Sequence, residues 1–452
     1  MSRDKKFSDY FFDSKHSTSH GSAKFAGFWD ERRVLRKSFD GIYIANNLKL
    51  DRDTSFKNLC LISPTGAGKT TKYILNNVLR EWSKKSSLVI FDPAGEIHRL
   101  SAKWLHKKQK FNVVKVDLTE LNGATFNPLC EVHNKSTARI AAKSLVNAVY
   151  ADSNNDQFWT ESAISILTLV ILAVVAEIPR ENQNLAFVNR IINKFIHSQE
   201  EVNSLMEIAL NEEDFEEYTS FLSNSIKVKQ SIIATVKSAL YIYSDEILKQ
   251  ICSTTDSFNL ADLRHKRIAL FLIQEEHKIP YYKGFWSLFF RQLFEKILTA
   301  SDGNDIFMFC DEFNAYSPIA DFDTIISVNR KKRCHISIIL QSYEQLVSSY
   351  GLDKAKIIFE NCTNKLFYGG LSHQSAKIVS DMLGQSTESY SDKGIFKPNQ
   401  PLSRVSRPLL TPDEVRTMKA DECLFISGNH KPIHLKNVKA FYQNRTLKRR
   451  AR

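Results

Sequence analysis

A glycine-containing stretch separates a short apolar run from a segment of helical periodicity. It consists of Ser63, Pro64, Thr65, Gly66, Ala67, Gly68, Lys69, Thr70 and Thr71. A strand, such a loop and a helix in that order bind phosphate through backbone N–H groups and the helix N-terminus. Lys69 is then expected to reach the β- and γ-phosphates and Thr70 to ligate Mg²⁺, although Ser63 replaces the usual first glycine. The motif predicts ATP and Mg²⁺ as cofactors; an ordinary strand-to-helix turn is the alternative.

Short apolar runs predict a parallel α/β sheet around this loop, because helix-length segments separate them. Glycine is absent between Gly123 and Gly284, and apolar residues recur there at helical spacing, which predicts an all-α insert in a discontinuous α/β domain. The predicted division is a mobile arm (1–50), a nucleotide-binding domain in two parts (51–130 and 261–440), the insert (131–260) and a basic tail (441–452). The predicted strands are Lys57–Ser63, Leu88–Asp92, Val113–Asp117, Arg267–Ile273, Ile306–Cys310, Ile336–Leu340 and Lys365–Gly369.

Asp311 and Glu312 follow the predicted strand Ile306–Cys310. One carboxylate at such a strand end can hold Mg²⁺ while the next orients a water, which is the hydrolytic half of an ATPase; a solvated turn is the alternative. Asp92 also ends a sheet strand, and a structural role remains equally open for it. Two further candidates are Gln341, at the tip of the next strand, and Arg330, whose basic neighbours also fit a solvated or nucleic-acid-binding face.

Composition narrows the class of protein further. The 452 residues are 43% hydrophobic and 25% charged, which suits a chain that buries at least one full core. The seven cysteines are scattered, odd in number and without a Cys-x-x-Cys pair, so they fit a reducing cytoplasm and give no metal-site spacing. The run Ile164–Ile178 is shorter than the ~20 residues of a membrane helix. We therefore expect a buried core helix there and no transmembrane segment in this chain.

Several segments together resemble the type IV coupling proteins, the conjugative DNA-transfer ATPases of type IV secretion systems. The resemblance extends over roughly residues 57–440 and rests on the order of the motifs. After the phosphate loop come Asp92-Pro-Ala-Gly-Glu96, Phe126-Asn-Pro-Leu129, Gln157-Phe-Trp159, Asp311-Glu312-Phe313, Gln341-Ser-Tyr-Glu-Gln-Leu346 with Tyr350-Gly351, Asn361-Cys362, Gly384-Gln-Ser-Thr387 and Arg407-Pro-Leu-Leu-Thr-Pro-Asp-Glu-Val415.

The resemblance implies a RecA-like P-loop NTPase domain with an inserted all-α domain, assembled as a homo-hexamer around DNA. It assigns nucleotide contact to Lys69, Mg²⁺ coordination to Thr70 and Asp311, activation of water to Glu312, γ-phosphate sensing to Gln341 and a finger in trans to Arg330. The implied partners are single-stranded or duplex DNA, relaxase and relaxosome proteins, and the channel ATPases and inner-membrane components of the secretion system.

Family members usually carry two N-terminal membrane helices, and we expect none in this sequence. The expectation is a location at the cytoplasmic face of the bacterial inner membrane, through a separate anchor subunit or by peripheral binding. Two other functions stay open: a related DNA translocase without a link to secretion, and a nucleotide-gated docking adaptor.

The net charge of +12 is unevenly distributed: residues 1–130 carry +10, residues 131–260 carry −7 and residues 261–452 carry +9. Five acidic residues of the insert form one run, Glu212, Glu213, Asp214, Glu216 and Glu217. This distribution predicts DNA on the α/β body and basic protein cargo at the acidic insert, with a solvated helix face as the alternative.

Overall fold

A nine-stranded sheet organises the protein in the computed structural model, which describes residues 21–150, 157–253, 258–390 and 403–452. The strand order is β13-β12-β9-β3-β8-β7-β4-β6-β5, and the seven strands from β9 to β5 are parallel. Its strands are β3 (Leu59–Ile62), β4 (Ser86–Phe91), β5 (Asn112–Asp117), β6 (Ile268–Ile273), β7 (Asp305–Cys310), β8 (Cys334–Leu340), β9 (Asn364–Tyr368), β12 (Cys423–Ser427) and β13 (Ile433–Leu435). All seven predicted strands are therefore present.

Apolar side chains on both faces of the sheet explain why these strands read as continuous apolar runs. One face packs against a core shared with the helical insert, and the other against a core that includes the N-terminal segment. The helices outside the insert are α1 (Phe28–Val34), α2 (Arg52–Ser55), α3 (Leu75–Val78), α4 (Glu96–Lys107), α12 (Asp262–His265), α13 (Lys283–Thr299), α14 (Phe322–Val328), α15 (Tyr343–Tyr350), α16 (Leu352–Asn361), α17 (His373–Leu383), α18 (Pro412–Arg416) and α19 (Arg445–Arg450).

Only helices and short helical turns occur in the described part of the chain between β5 and β6. Helix α13, which follows β6, packs against α5 and so joins the insert to the sheet domain. The helices of the insert are α5 (Lys135–Tyr150), α6 (Gln157–Glu177), α7 (Leu185–His197), α8 (Gln199–Ala209), α9 (Glu212–Leu222), α10 (Ile226–Leu240) and α11 (Glu246–Ile251).

Helix α6 is the one helix of the described residues that is long and apolar enough to cross a membrane. Ten of its side chains are buried, and it contacts α5, α8 and α10. It packs here as the central helix of the insert, which is the buried core helix that the sequence predicted.

The N-terminal segment differs from the predicted mobile arm over residues 1–50. Residues 1–20 lie outside the described part, but residues 21–50 pack against the sheet domain. Leu35, Ile42 and Ile44 are fully buried in the core on one face of the sheet. A short hairpin of β1 (Tyr43–Ala45) and β2 (Leu48–Lys49) completes this segment. The sequence pattern did not predict this packing, because the segment has few apolar residues among many charged ones.

Four further strands were not predicted. The strands β10 (Gln385–Tyr390) and β11 (Ser403–Pro408) form an antiparallel hairpin, and their many polar residues do not show the apolar alternation of a half-buried strand. The strands β12 and β13 add an antiparallel edge to the sheet beside β9. The sheet is thus mixed rather than wholly parallel.

The predicted basic tail forms a short helix, α19, that packs against the sheet domain. The Arg450 guanidinium donates to the carbonyl of Leu79 at 3.0 Å and lies 4.2 Å from the centre of the Trp104 ring. At least one charge of this segment is therefore engaged with the domain.

Candidate functional site

The phosphate loop lies at the carboxyl edge of the sheet, between β3 and a helix that begins at Lys69 with a π-helical turn. Gly66 and Gly68 have φ angles of 79° and 94°, a left-handed conformation that glycine adopts without strain. Ser63 is buried and its N–H donates to the carbonyl of Leu340 at 3.0 Å, which fixes the loop entrance beside β8. The loop therefore has the backbone conformation that its glycines predicted.

Thr70 and Asp311 meet across the sheet. The Thr70 hydroxyl donates to Oδ2 of Asp311 at 2.8 Å. Burial raises the pKa of Asp311 to about 7; the Thr70 hydrogen bond opposes this shift and the nearby Glu312 carboxylate adds to it. A hydroxyl and a carboxylate oxygen are ligands that suit Mg²⁺, and the cation would favour the ionised carboxylate.

No group of three or more His, Cys, Asp or Glu side chains in the described residues could hold a metal by itself. Mg²⁺ usually keeps one or two protein ligands and takes the remaining ones from nucleotide phosphates and water. Thr70 and Asp311 fit such a site.

Lys69, Glu312 and Gln341 form a second set of contacts beside the first. The Lys69 ammonium lies 2.9 Å from Oε1 of Glu312, and the side-chain amide of Gln341 donates to Oε2 of the same carboxylate at 3.1 Å. Glu312 has a φ of 45°, a left-handed conformation that costs a non-glycine residue roughly 1 kcal/mol or more and often marks a functional strand end. The three strands β3, β7 and β8 are neighbours, so the parallel order of the sheet brings these groups together.

Arg330 is not part of this set of contacts. It is exposed and lies in the turn before β8, whereas Gln341 follows the end of β8. A seven-residue strand spans about 23 Å, so Arg330 lies at the amino edge of the sheet, opposite the phosphate loop. Within the described residues Arg330 makes no ion pair.

Asp92 has a structural role in this chain. Its carboxylate accepts hydrogen bonds from the backbone N–H groups of Ile97 and His98, at 3.2 and 2.7 Å, and so caps the first turn of α4. Burial raises the pKa of Asp92 to about 6, against the lowering effect of these hydrogen bonds. The structural alternative, which the sequence left open, accounts for its contacts.

Lys72 is a site residue that the sequence reasoning missed. Its ammonium donates to the carbonyl of Ala67 in the phosphate loop at 2.6 Å and to that of Ala420, just before β12, at 2.7 Å. It also lies 5.6 Å from the centre of the Tyr368 ring. Lys72 therefore holds the backbone of the phosphate loop against the segment that precedes β12. Its spacing of three residues from Lys69, one helical turn, is the signal that could have indicated it.

The acidic run of the insert lies on α9 and is divided between two environments. Asp214 and Glu217 bind the ammonium of Lys135 at 2.5 and 2.9 Å, so they join α9 to α5. Glu212, Glu213 and Glu216 are exposed. Two of the five charges thus have an internal structural role, and three face solvent.

Comparison with known proteins identifies the family. The model of the family described as "Type IV secretory system Conjugative DNA transfer" matches residues 18–452. Protein VirD4 of Rhizobium radiobacter is 22% identical over 411 residues, which cover 86% of this chain and 57% of that protein. Protein VirD4 of Agrobacterium fabrum is 21% identical over 469 residues, which cover 95% of this chain and 67% of that protein. The chain spans about three fifths to two thirds of these relatives.

Among solved structures, the plasmid coupling protein TrwB in complex with ADP and Mg²⁺ superposes with a TM-score of 0.70 at 16% identity, over 94% of this chain and 96% of that one. This similarity confirms the predicted fold class, an α/β P-loop domain with an all-α insert. Since the family model covers nearly the whole chain, this protein belongs to the type IV secretory system conjugative DNA-transfer family.

Proposed function

We propose that this chain is an ATP-hydrolysing coupling protein that links a relaxase–DNA substrate to a type IV secretion channel. The observation that carries the proposal is the pair of contacts Thr70–Asp311 and Lys69–Glu312, which joins a phosphate loop to an acidic strand end within a family of DNA-transfer proteins. Carboxylates so placed suit an ATPase because one can serve the cation and the next the attacking water.

Each residue has a separate role in the proposed reaction. The loop N–H groups and Lys69 bind the phosphates, and Thr70 and Asp311 hold Mg²⁺, which neutralises phosphate charge when bound. Glu312 orients and deprotonates the attacking water. Gln341 contacts Glu312 directly and so is suited to report whether a γ-phosphate is present. Binding of a nucleotide draws Lys69 from Glu312 to the phosphates, which frees the carboxylate for the water.

Arg330 serves as the finger of a neighbouring subunit in this proposal. Its position at the amino edge is too far from the phosphate loop of its own chain, so it can complete only another copy's site. A ring of six copies around DNA provides such interfaces. The partners we propose are DNA, relaxase and relaxosome proteins, and the channel and inner-membrane components, with the protein at the cytoplasmic face of the inner membrane.

One experiment tests the proposal directly: steady-state ATP hydrolysis is measured with and without single-stranded DNA, with the oligomeric state recorded by mass photometry in the same buffer. We expect slow hydrolysis that single-stranded DNA stimulates and that Lys69→Ala abolishes. Stimulation by duplex DNA alone would favour a translocase without a link to secretion. Nucleotide binding without hydrolysis under every condition would favour a docking adaptor and contradict the proposed motor.

A further inference from the structure

Two adjoining cavities form a trench on the surface of the helical insert. They lie along α7 and the end of α10, with the turn at 241–244 between them. Their volumes are about 450 and 500 Å³, and they share Asn189, Asn193 and Ser244 as lining residues. The trench lies outside the contacts of the nucleotide site described above.

The lining of the trench is basic and rich in amides. Arg190, Lys237 and Lys249 line it, and no aspartate or glutamate is among its lining residues. None of these three cations forms an ion pair within the described residues. The adjacent Asp245 is occupied, because its carboxylate accepts from the N–H groups of Ile247 and Leu248 at the start of α11. This local positive charge contrasts with the net −7 of residues 131–260.

Rigid and aromatic groups complete the trench. The guanidinium of Arg190 lies 4.2 Å from the centre of the Phe187 ring, which fixes its position on α7. Tyr241 is 65% exposed and lines one cavity, and its ring packs edge-on against that of Tyr281 at 6.3 Å. Tyr243 is buried in the wall of the other cavity, and its hydroxyl has no partner within the described part of the chain.

We propose that this trench binds single-stranded DNA. Cations without acidic partners suit the phosphates, an exposed aromatic ring provides a stacking surface for a base, and asparagine amides can hydrogen-bond base edges. The inference rests on the proposed function, in which DNA is the substrate, and adds a site on the insert. The charge distribution predicted DNA on the α/β body and basic protein at the insert. With this trench, the insert contacts DNA as well as protein.

The test measures the affinity of the full chain for a fluorescein-labelled single-stranded oligonucleotide by anisotropy over a series of salt concentrations. In the variant Arg190→Gln/Lys249→Gln two phosphate contacts are lost, so the slope of log K against log salt should fall by about 1.4. Tyr241→Ala should weaken binding by roughly 5- to 150-fold, the range for loss of one stacked base. Tyr241→Phe should bind as the parent does, because its ring remains.

A matched control removes two exposed lysines elsewhere on the insert. Lys143→Gln/Lys227→Gln should leave the salt slope close to that of the parent, because neither residue lines the trench. If the parent binds DNA and both the Arg190→Gln/Lys249→Gln and Tyr241→Ala variants bind it equally well, the trench assignment is wrong while the proposed function stands. If the parent protein binds no DNA, the trench assignment and the proposed function are both wrong.

An acidic peptide is the competing ligand for a basic trench. A poly-glutamate peptide labelled with fluorescein is therefore titrated against the same variants. If Arg190→Gln/Lys249→Gln lowers peptide affinity and leaves DNA affinity unchanged, the trench binds acidic protein segments and the DNA assignment is overturned. The expected result is the reverse, with DNA affinity reduced and peptide binding weak throughout.

Discussion

The contact between Lys69 and Glu312 makes an unusual prediction for the variant Glu312→Gln: it should bind ATP more tightly and hydrolyse it far more slowly. In this structure the ammonium of Lys69 lies 2.9 Å from the Glu312 carboxylate. In the proposed function the same ammonium also binds the phosphates, so ATP would compete with Glu312 for it. Glutamine retains an oxygen of similar position but removes the negative charge that attracts Lys69.

The magnitude follows from the burial of the pair. The side chains of Lys69 and Glu312 are only 7% and 19% exposed, so solvent screens their attraction weakly. A hydrogen bond to a charged group contributes about 1.5–3 kcal/mol, roughly twice a neutral one. Removing one charge should therefore release about 1.5 kcal/mol, or about tenfold in ATP affinity. If Glu312 is the general base, as proposed, its loss should lower the hydrolysis rate by about 10²–10⁴-fold.

The assay combines equilibrium binding of a fluorescent ATP analogue with steady-state hydrolysis at saturating ATP. Glu131→Gln is the matched control. Glu131 is 13% exposed, and its carboxylate lies 2.5 Å from the ammonium of Lys296 in an ion pair outside the phosphate loop. Both measurements should be unchanged in that control. Weaker ATP binding in Glu312→Gln would refute the competition between ATP and the carboxylate, and an unchanged hydrolysis rate would refute the role of Glu312 as the base.

Three further predictions concern residues outside this pair. Lys72→Met leaves the carbonyls of Ala67 and Ala420 without the ammonium that donates to them. ATP affinity measured by fluorescence titration should therefore fall about tenfold, with partial rescue in Lys72→Arg. Unchanged affinity in Lys72→Met would contradict the positioning role of Lys72. Arg330→Ala should hydrolyse ATP slowly while binding it normally, and mixing with Lys69→Ala subunits should restore activity; no recovery in verified mixed rings would count against action in trans. Burial lowers the pKa of His335 from 6.5 to about 3. Between about pH 3 and 6.5 the imidazole is therefore protonated in the unfolded chain but neutral in the folded protein. The free energy of unfolding falls as the pH drops below 6.5, because protonation favours the unfolded chain. His335→Gln should reduce this slope by up to ~1.4 kcal/mol per pH unit in urea unfolding, and an equal slope in both proteins would exclude His335 as its source.

The parallel strands could be predicted because sheets covered on both faces require long apolar runs. The predicted bounds of β4, β7 and β8 differ from the observed ones by at most two residues, since charged or glycine-containing turns limit them. The location of the site could be predicted for the same reason. The phosphate loop and Asp311-Glu312 each follow the carboxyl end of a strand in one parallel sheet, so both lie at the same edge of that sheet. The antiparallel strands β10 and β11 gave no such signal, because polar residues dominate them.

The contacts within the site could not be predicted to the same degree. The ion pair of Lys69 with Glu312 depends on the adjacency of β3, β8 and β7 and on a left-handed residue at the end of β7, neither of which the local sequence specifies. Lys72 shows the same limit, since one of its two acceptors is Ala420, 348 residues away. Residue type and spacing indicate which groups can act, whereas long-range packing decides which groups touch.

The strand β8 connects the two proposed catalytic functions of the chain. Gln341, at its carboxyl end, contacts Glu312 of the same subunit, and Arg330 lies before its amino end, at the opposite edge of the sheet. Because the strand is buried along its whole length between β3 and β7, its two ends cannot move independently without breaking the sheet. Gln341 and Arg330 are therefore held at a fixed separation, at opposite edges of the sheet.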